Sequence, residues 1–156
     1  ETRRLSSFRR CLRHPPSPGR PGSQKTRLKI IDEIRAGDGQ NSQIVLVEVV
    51  SGQHCGKQVV AKFYDPVYFE DSQDDIDPVL HVGKAYACES AAYGRLSARG
   101  QQNIPEFYGT YPLELTVCSG IFRSVRLILL EHVHGVQMQT LQPSRLSQTY
   151  RKAIMK

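Results

Sequence analysis

The chain contains no tryptophan, and none of its cysteines lies close to another in the sequence; they are Cys11, Cys55, Cys88 and Cys118. Because no Cys-x-x-Cys pair and no Cys/His series is present, the sequence predicts no zinc site. We interpret the cysteines as reduced thiols of an intracellular protein. His132 and His134 have strand-like spacing, but no third ligand is near them in the sequence, so we favour a plain loop over a metal site.

Long apolar runs are also missing: none approaches the roughly 20 residues of a membrane-spanning helix, so we expect no membrane insertion. The net charge of +6 is unevenly placed, because residues 1–25 carry seven Lys/Arg and one Glu, whereas residues 26–156 carry fourteen residues of each sign. The excess positive charge therefore belongs to the N-terminal segment. A specific nucleic-acid surface on the folded part is not predicted.

Residues 1–26 are rich in Pro, Ser and Arg, a composition that predicts a disordered basic tail. Two other interpretations are open. Leu5, Phe8 and Leu12 have helical spacing with arginines between them, which resembles a mitochondrial presequence, although Glu1 argues against it. A regulatory or polyanion contact is the third interpretation. We favour the inert tail, and therefore a cytoplasmic or nuclear protein over a mitochondrial one.

The rest of the chain alternates between strand and turn signals, with one long helical pattern. Strands are predicted over residues 27–35, 44–50 and 58–64, joined by short turns, and this arrangement predicts an antiparallel meander. Asp77 followed by Pro78 is typical of a helix start, and Gly100 ends the pattern. Further strands are predicted over residues 113–117 and 124–133, after an extended stretch at 104–111, and a last helix begins near residue 144. The fold class is therefore α+β: a twisted five-stranded antiparallel sheet with one long helix packed on it.

The most informative pair of residues is Lys62 and Glu89. Lys62 lies in the apolar strand 58–64, where alternation places Val60, Lys62 and Tyr64 on one face. Glu89 is the only charge on the helix face formed by Val82, Tyr86, Glu89, Tyr93 and Leu96. Because a buried charge is costly unless it is paired, we expect the ammonium and the carboxylate to meet. The alternative for each residue is that its charged group reaches water independently of the other.

Two further segments could serve the same site. The turn from Gly37 to Ser42 lies between two strands, which excludes a dinucleotide-binding fingerprint but allows a glycine-rich hairpin whose N–H groups face phosphates. The run Leu127 to Leu130 is apolar on both faces and predicts a central strand. Where this strand ends, at Glu131-His132-Val133, unpaired backbone groups could bond a flat heteroaromatic base.

Together these parts resemble the N-terminal lobe of the eukaryotic protein-kinase fold, and more particularly the divergent protein-kinase-like proteins of filamentous fungi. The resemblance covers residues 27–135 as the lobe, with residues 136–156 as the segment after the hinge and the start of a second lobe. It implies a transferase ancestry of the Ser/Thr kinase type and ATP as the nucleotide. The resemblance depends on the whole series of motifs, since each part alone is weakly specific.

On the phosphate side, the resemblance assigns roles to four positions. Gly37 and Gly39 match the first two glycines of the phosphate loop. Lys62 matches the lysine that binds the α- and β-phosphates, and Glu89 matches its ion-pair partner, so these two are the expected catalytic residues. Ser42 stands where the family has a third glycine, which would add a side chain near the phosphates.

On the base side, the resemblance assigns roles to five positions. Ile44 matches the aliphatic residue that packs on the adenine, and Val60 matches the small residue above it. Leu130 falls at the gatekeeper position. Glu131 and Val133 match the hinge residues whose backbone groups bond the base.

No His-Arg-Asp, metal-binding Asn or Asp-Phe-Gly motif follows in this sequence. These motifs orient the acceptor hydroxyl and hold Mg²⁺, so Mg²⁺ is expected only in a full-length relative. We expect this chain alone to be a truncated domain that is inactive as a kinase and binds ATP weakly or not at all. The alternative is a non-catalytic interaction module that binds a protein partner through the exposed underside around Leu130, Val133 and the helix of Glu89.

Overall fold

The computed structural model describes residues 6–13, 15, 25–69, 76–100, 103–135 and 147–149. Over these residues the protein is α+β, with a five-stranded antiparallel sheet and two α-helices. The elements in chain order are α1 (Ser7–Arg13), β1 (Arg27–Arg35), β2 (Gln43–Ser51), β3 (Gln58–Tyr64), a 3₁₀ turn (Pro66–Tyr68), α2 (Pro78–Ala98), β4 (Phe107–Cys118) and β5 (Ile121–Glu131). The helix predicted from residue 144 falls almost wholly outside the described residues.

The strands lie in the order β1-β2-β3-β5-β4, and all neighbours are antiparallel. The predicted bounds of β1 and β3 are confirmed, and the β1-β2-β3 meander is present. β5 lies between β3 and β4, so the prediction that its apolar run is central is also confirmed. Chain order is broken once, because β5 inserts between β3 and β4.

Alternation along the strands creates two apolar clusters, one on each face of the sheet. The cluster on the face away from α2 is formed by Val45, Val47, Val49, Val59, Ala61, Leu127 and Leu129. The other lies between the sheet and α2 and is formed by Tyr64, Val82, Ile128 and Leu130. The second cluster positions α2 against β3 and β5.

Asp77 begins α2 as predicted: its Oδ1 accepts the N–H groups of Val79 at 3.0 Å and Leu80 at 3.3 Å. These bonds satisfy two of the helix's otherwise free N–H groups. Along the predicted inner face, Val82 is buried while Tyr86, Glu89, Tyr93 and Leu96 are partly buried. The helix therefore presents to the sheet the face that the sequence pattern indicated.

Residues 7–13, within the segment predicted to be a disordered tail, form α1. The first proline of the chain is Pro15, so nothing in residues 7–13 breaks a helix. Such a short helix needs tertiary contacts to persist, and α1 contacts the 3₁₀ turn, β5 and α2, with Cys11 buried. Of the apolar residues with helical spacing in this segment, Phe8 is exposed and Leu12 is partly buried, while Leu5 lies outside the described residues.

The last two strands differ from their predicted bounds. β4 begins at Phe107 and includes Pro112; an edge strand accommodates proline because one side of its backbone needs no partner. β5 ends at Glu131, so Val133, which was predicted inside the strand, follows it. The proline and Gly109 made the first half of β4 look like an irregular extended stretch.

β1 is the other edge of the sheet, and its register with β2 is irregular. One extra β1 residue, Ile31, lies between the pairs made by Ile30 and Asp32, and Ile34 is a second extra residue between Glu33 and Arg35. All three isoleucines of β1 are exposed. Among the residues that the structure describes, no helix has the length and apolar character needed to cross a membrane.

Candidate functional site

The predicted contact between Lys62 and Glu89 is confirmed. The Lys62 ammonium donates to both carboxylate oxygens of Glu89, at 2.8 Å to Oε1 and 2.6 Å to Oε2. β3 points Lys62 toward α2, and Glu89 lies on the helix face turned toward the sheet. The two side chains are 18% and 28% exposed, so the pair is shielded but not dry. Solvent therefore reaches both side chains.

Tyr64 is a third member of this cluster. Its hydroxyl donates to Glu89 Oε2 at 2.6 Å, and its ring centroid lies 5.5 Å from Lys62 Nζ. Burial raises the pKa of the Tyr64 phenol well above its ordinary value, and the bond to Glu89 raises it further. The phenol therefore stays a donor. Sequence reasoning placed Tyr64 on the same strand face as Lys62 but did not predict its bond to Glu89.

The chemistry of the cluster follows from its donors and acceptors. An ammonium has three N–H groups, and two of them are directed at the Glu89 oxygens. The Tyr64 hydroxyl bonds the carboxylate, and the carboxylate in turn holds the ammonium. Among the residues that the structure describes, no acceptor bonds the third N–H group of Lys62. A lysine held in this way can bind an oxyanion such as phosphate as a point charge.

Strand register places three of the predicted base-binding residues on the Lys62 face. Ile44 is paired with Lys62 across β2 and β3, and Val60 is paired with Leu130 across β3 and β5. Directly paired residues project to the same face, and Val60 and Leu130 both belong to the cluster beneath α2. Leu130 is buried, whereas Ile44 and Val60 are partly buried. These apolar side chains and the ammonium therefore share one surface of the sheet.

The glycine-rich turn is differently arranged from a loop open to phosphate. Gly37 and Gly39 both have positive φ, 128° and 76°, which explains why glycine is used there. The Gly37 N–H donates to Gln43 Oε1 at 2.6 Å, and the Gly39 N–H donates to the carbonyl of Tyr68 at 3.0 Å. Phosphate binding by these two amides would require both bonds to break.

Side chains also tie this turn to the rest of the fold. Asn41 Oδ1 lies 3.2 Å from His81 Nε2 in the first turn of α2, which brings the hairpin close to the beginning of that helix. Ser42 is buried, and its Oγ lies 3.5 Å from Arg35 Nη2. The Ser42 side chain thus packs into the base of the hairpin.

At the end of β5, the backbone groups assigned to base binding are only partly open. The Glu131 N–H donates to the carbonyl of Glu106 at 2.8 Å, and Glu131 Oε2 accepts the Glu106 N–H at 3.0 Å. Val133 is exposed. His132 and His134 place their ring centroids 4.4 Å apart, but the described residues contain no group of three or more side chains able to hold a metal ion.

Two ion pairs near α1 were missed in the sequence. Arg123 pairs with Asp65 in a buried position, and Asp65 also accepts the N–H of Val67 at 3.1 Å. Arg10 Nη2 lies 2.7 Å from Asp77 Oδ2. Both pairs join residues more than 50 positions apart, and no local pattern signals such partners.

The described residues thus form an α+β protein whose sheet and long helix are joined by a Lys-Glu-Tyr cluster. Comparisons with protein-family models, with curated proteins and with solved structures found no match for this chain. Any functional assignment therefore depends on the geometry of the cluster and on the residues that share its surface.

Proposed function

We propose that the sheet face around Lys62 binds the polyphosphate and base of a nucleotide such as ATP, as the N-terminal lobe of a protein-kinase-like protein does. The observation that carries the proposal is the double hydrogen bond from Lys62 to Glu89. A lysine fixed by a helix carboxylate beside an apolar sheet surface is the arrangement with which kinases hold ATP phosphates.

The base would lie against the apolar part of the same surface. Ile44 and Val60 are partly buried and occupy strand positions on the Lys62 face. Since these side chains cover only one side of a flat ring, far less of a ligand would be buried than in an enclosed pocket. We therefore expect a dissociation constant of about 1 mM, equivalent to a binding free energy of about −4 kcal/mol.

Titration of the whole chain with ATP, followed by two-dimensional amide NMR, tests the proposal. We expect saturable shifts at Lys62, Ile44 and Val133. Lys62→Met should weaken binding at least about fivefold, because it removes the positive charge that contacts phosphate. A fivefold change corresponds to about 1 kcal/mol of binding free energy. Lys84→Met is the matched control, since Lys84 is an exposed lysine on α2, and it should leave the affinity unchanged.

Adenosine serves as a second probe that lacks phosphates. If Lys62 acts on phosphate, adenosine should bind equally to the original chain and to Lys62→Met. No shift at Lys62, Ile44 or Val133 with ATP at about 10 mM, well above the expected dissociation constant, would refute the proposal. Equal ATP affinities for Lys62→Met and Lys84→Met would do the same.

The proposal concerns nucleotide binding and does not extend to phosphoryl transfer by this chain. The sequence contains no His-Arg-Asp or Asp-Phe-Gly motif, and loss of three or four decades of rate corresponds to about 4–5.5 kcal/mol of barrier. We expect no transfer of labelled phosphate above the background of Lys62→Met. Turnover above that background would contradict this expectation.

A second candidate function is a protein-interaction module that uses the underside of the lobe. The exposure of Val133, at 61%, favours it, whereas Leu130 in the same proposed patch is 7% exposed and cannot take part directly. Size-exclusion chromatography with light scattering tests for self-association. Val133→Ser should abolish any dimer that this surface forms, and a clean monomer at all concentrations argues against self-association.

A further inference from the structure

The short helix α1 lies against the part of the fold from which α2 begins. It contacts the 3₁₀ turn, β5 and α2, and Cys11 is buried at this contact. Cys11 lines a cavity of about 340 Å³ together with Tyr64, Val82 and Tyr86. Tyr64 donates its hydroxyl to Glu89, so one side chain borders the α1 contact and also bonds the carboxylate of the candidate site.

A second contact joins α1 to the beginning of α2. The Arg10 guanidinium lies 2.7 Å from Asp77 Oδ2, and both side chains are 13% exposed. The other oxygen of Asp77 caps α2 by accepting the N–H groups of Val79 and Leu80. The bond from Arg10 lowers the pKa of the Asp77 carboxyl, because it favours the charged form. Arg10 therefore holds the residue that begins the helix carrying Glu89.

The geometry of α2 explains how this contact can affect the site. Glu89 lies twelve residues after Asp77, which is about 18 Å along a helix axis. Over that length a tilt of about 10° displaces one end relative to the other by about 3 Å. Because the Lys62–Glu89 hydrogen bonds are 2.6 and 2.8 Å long, a displacement of that size at the Glu89 end of the helix would take the carboxylate out of hydrogen-bond range of the ammonium.

We infer that Arg10 is a positioning residue: by holding Asp77, α1 fixes the orientation of α2 and keeps Glu89 paired with Lys62. The consequence for nucleotide affinity rests on the proposed function, whereas the effect on the Lys62–Glu89 pair does not.

The whole chain carrying Arg10→Gln tests the inference. The first readout is the NMR signal of the Lys62 side-chain ammonium, which is observable when hydrogen bonds protect it from exchange with water. We expect this signal to weaken or vanish in Arg10→Gln and to return in Arg10→Lys. Arg9→Gln is the matched control, because it removes the same charge from an exposed position of the same helix, and it should leave the signal unchanged.

Asp77→Asn approaches the same contact from the other side. Asparagine caps helices about as well as aspartate, so this variant removes the charge while keeping the helix start. It should reproduce the effect of Arg10→Gln, and the double variant should show no additional loss. If Arg10→Gln fails to fold, Asp77→Asn alone decides the question. An unchanged Lys62 signal in folded Asp77→Asn would overturn the inference.

The second readout is ATP affinity. We expect Arg10→Gln to weaken it about fivefold or more, the lower range of coupling between distant sites, with little change in Arg9→Gln. If the original chain does not bind ATP, the proposed function fails, but the ammonium signal still decides the role of Arg10. If ATP binds and both readouts are the same in Arg10→Gln and Arg9→Gln, the inference fails while the proposed function stands.

Discussion

Replacement of Glu89 by glutamine should destabilise the protein by about 2 kcal/mol. The carboxylate accepts three hydrogen bonds, two from Lys62 and one from Tyr64, and a bond to a charged group contributes about 1.5–3 kcal/mol. Glutamine keeps one acceptor oxygen, and water reaches both charged side chains, which reduces the loss. A net change of about 2 kcal/mol remains, equivalent to about 4–8 °C in Tm for a chain of this length.

Urea and thermal unfolding followed by far-ultraviolet circular dichroism measure this change, and the method suits a chain without tryptophan. Tyr64→Phe, alone and combined with Glu89→Gln, completes a double-mutant cycle. Because Tyr64→Phe removes this bond and Glu89→Gln weakens its acceptor, we expect their effects to be non-additive by about 0.5–1 kcal/mol, within the range for residues in contact. The cycle isolates the bond between the two side chains from other effects of each substitution.

Glu114→Gln is the matched control, since Glu114 is exposed on β4 and should change the unfolding free energy by no more than about 0.5 kcal/mol. If Glu89→Gln is as mild as this control, the carboxylate does not organise the cluster. Additive effects in the cycle would show that Tyr64 and Glu89 are energetically independent. Either result would refute the reasoning.

Three further predictions concern the surroundings of the site. Arg123→Met leaves the buried Asp65 carboxylate without its guanidinium and should lower the free energy of unfolding in urea by about 3–5 kcal/mol. Adding Asp65→Asn should recover part of that stability. A loss below about 1 kcal/mol in Arg123→Met would contradict the prediction. Because the folded-state pKa of Asp77 is lowered, chiefly by Arg10, the stability that the Asp77 carboxylate contributes is present at neutral pH and is lost as the pH falls below about 5. The free energy of unfolding measured against pH should therefore fall less steeply in acid for Asp77→Asn. Because the folded-state pKa of Tyr64 is raised, chiefly by burial, its contribution is complete below the ordinary value of 10.0 and is lost as the pH rises above it. Tyr64→Phe should therefore lose less stability than the original chain between about pH 9 and 11, and parallel curves would contradict this.

Local chemistry explains which elements could be predicted. β1 and β3 have the expected bounds because turn residues enclose short runs rich in β-branched side chains. α2 begins at the expected position because Asp77 and Pro78 form a strong start signal. The Lys62–Glu89 contact could be predicted because both residues interrupt apolar patterns, and an interrupted pattern identifies a charge that needs a partner.

The misses have physical causes as well. The proline-rich composition that begins at Pro15 suggested disorder for the whole N-terminal segment. Residues 7–13 nevertheless form α1, because Cys11 makes a tertiary contact that composition does not encode. Pro112 hid the first half of β4, because a proline signals a break unless the strand is known to be an edge. The hydrogen bonds of the Gly37 and Gly39 amides could not be predicted either. Their acceptors are Gln43 and Tyr68, and only the folded structure brings these acceptors next to the glycines.

The two extra residues in β1 have a consequence for the behaviour of the protein at high concentration. An edge strand with exposed isoleucines would ordinarily invite a second chain to extend the sheet. Ile31 and Ile34 each interrupt the regular spacing of the ladder, so the outer margin of β1 is bent and gives an incoming strand no long straight template. A deletion that restored regular spacing would give an incoming strand a straighter margin to pair with.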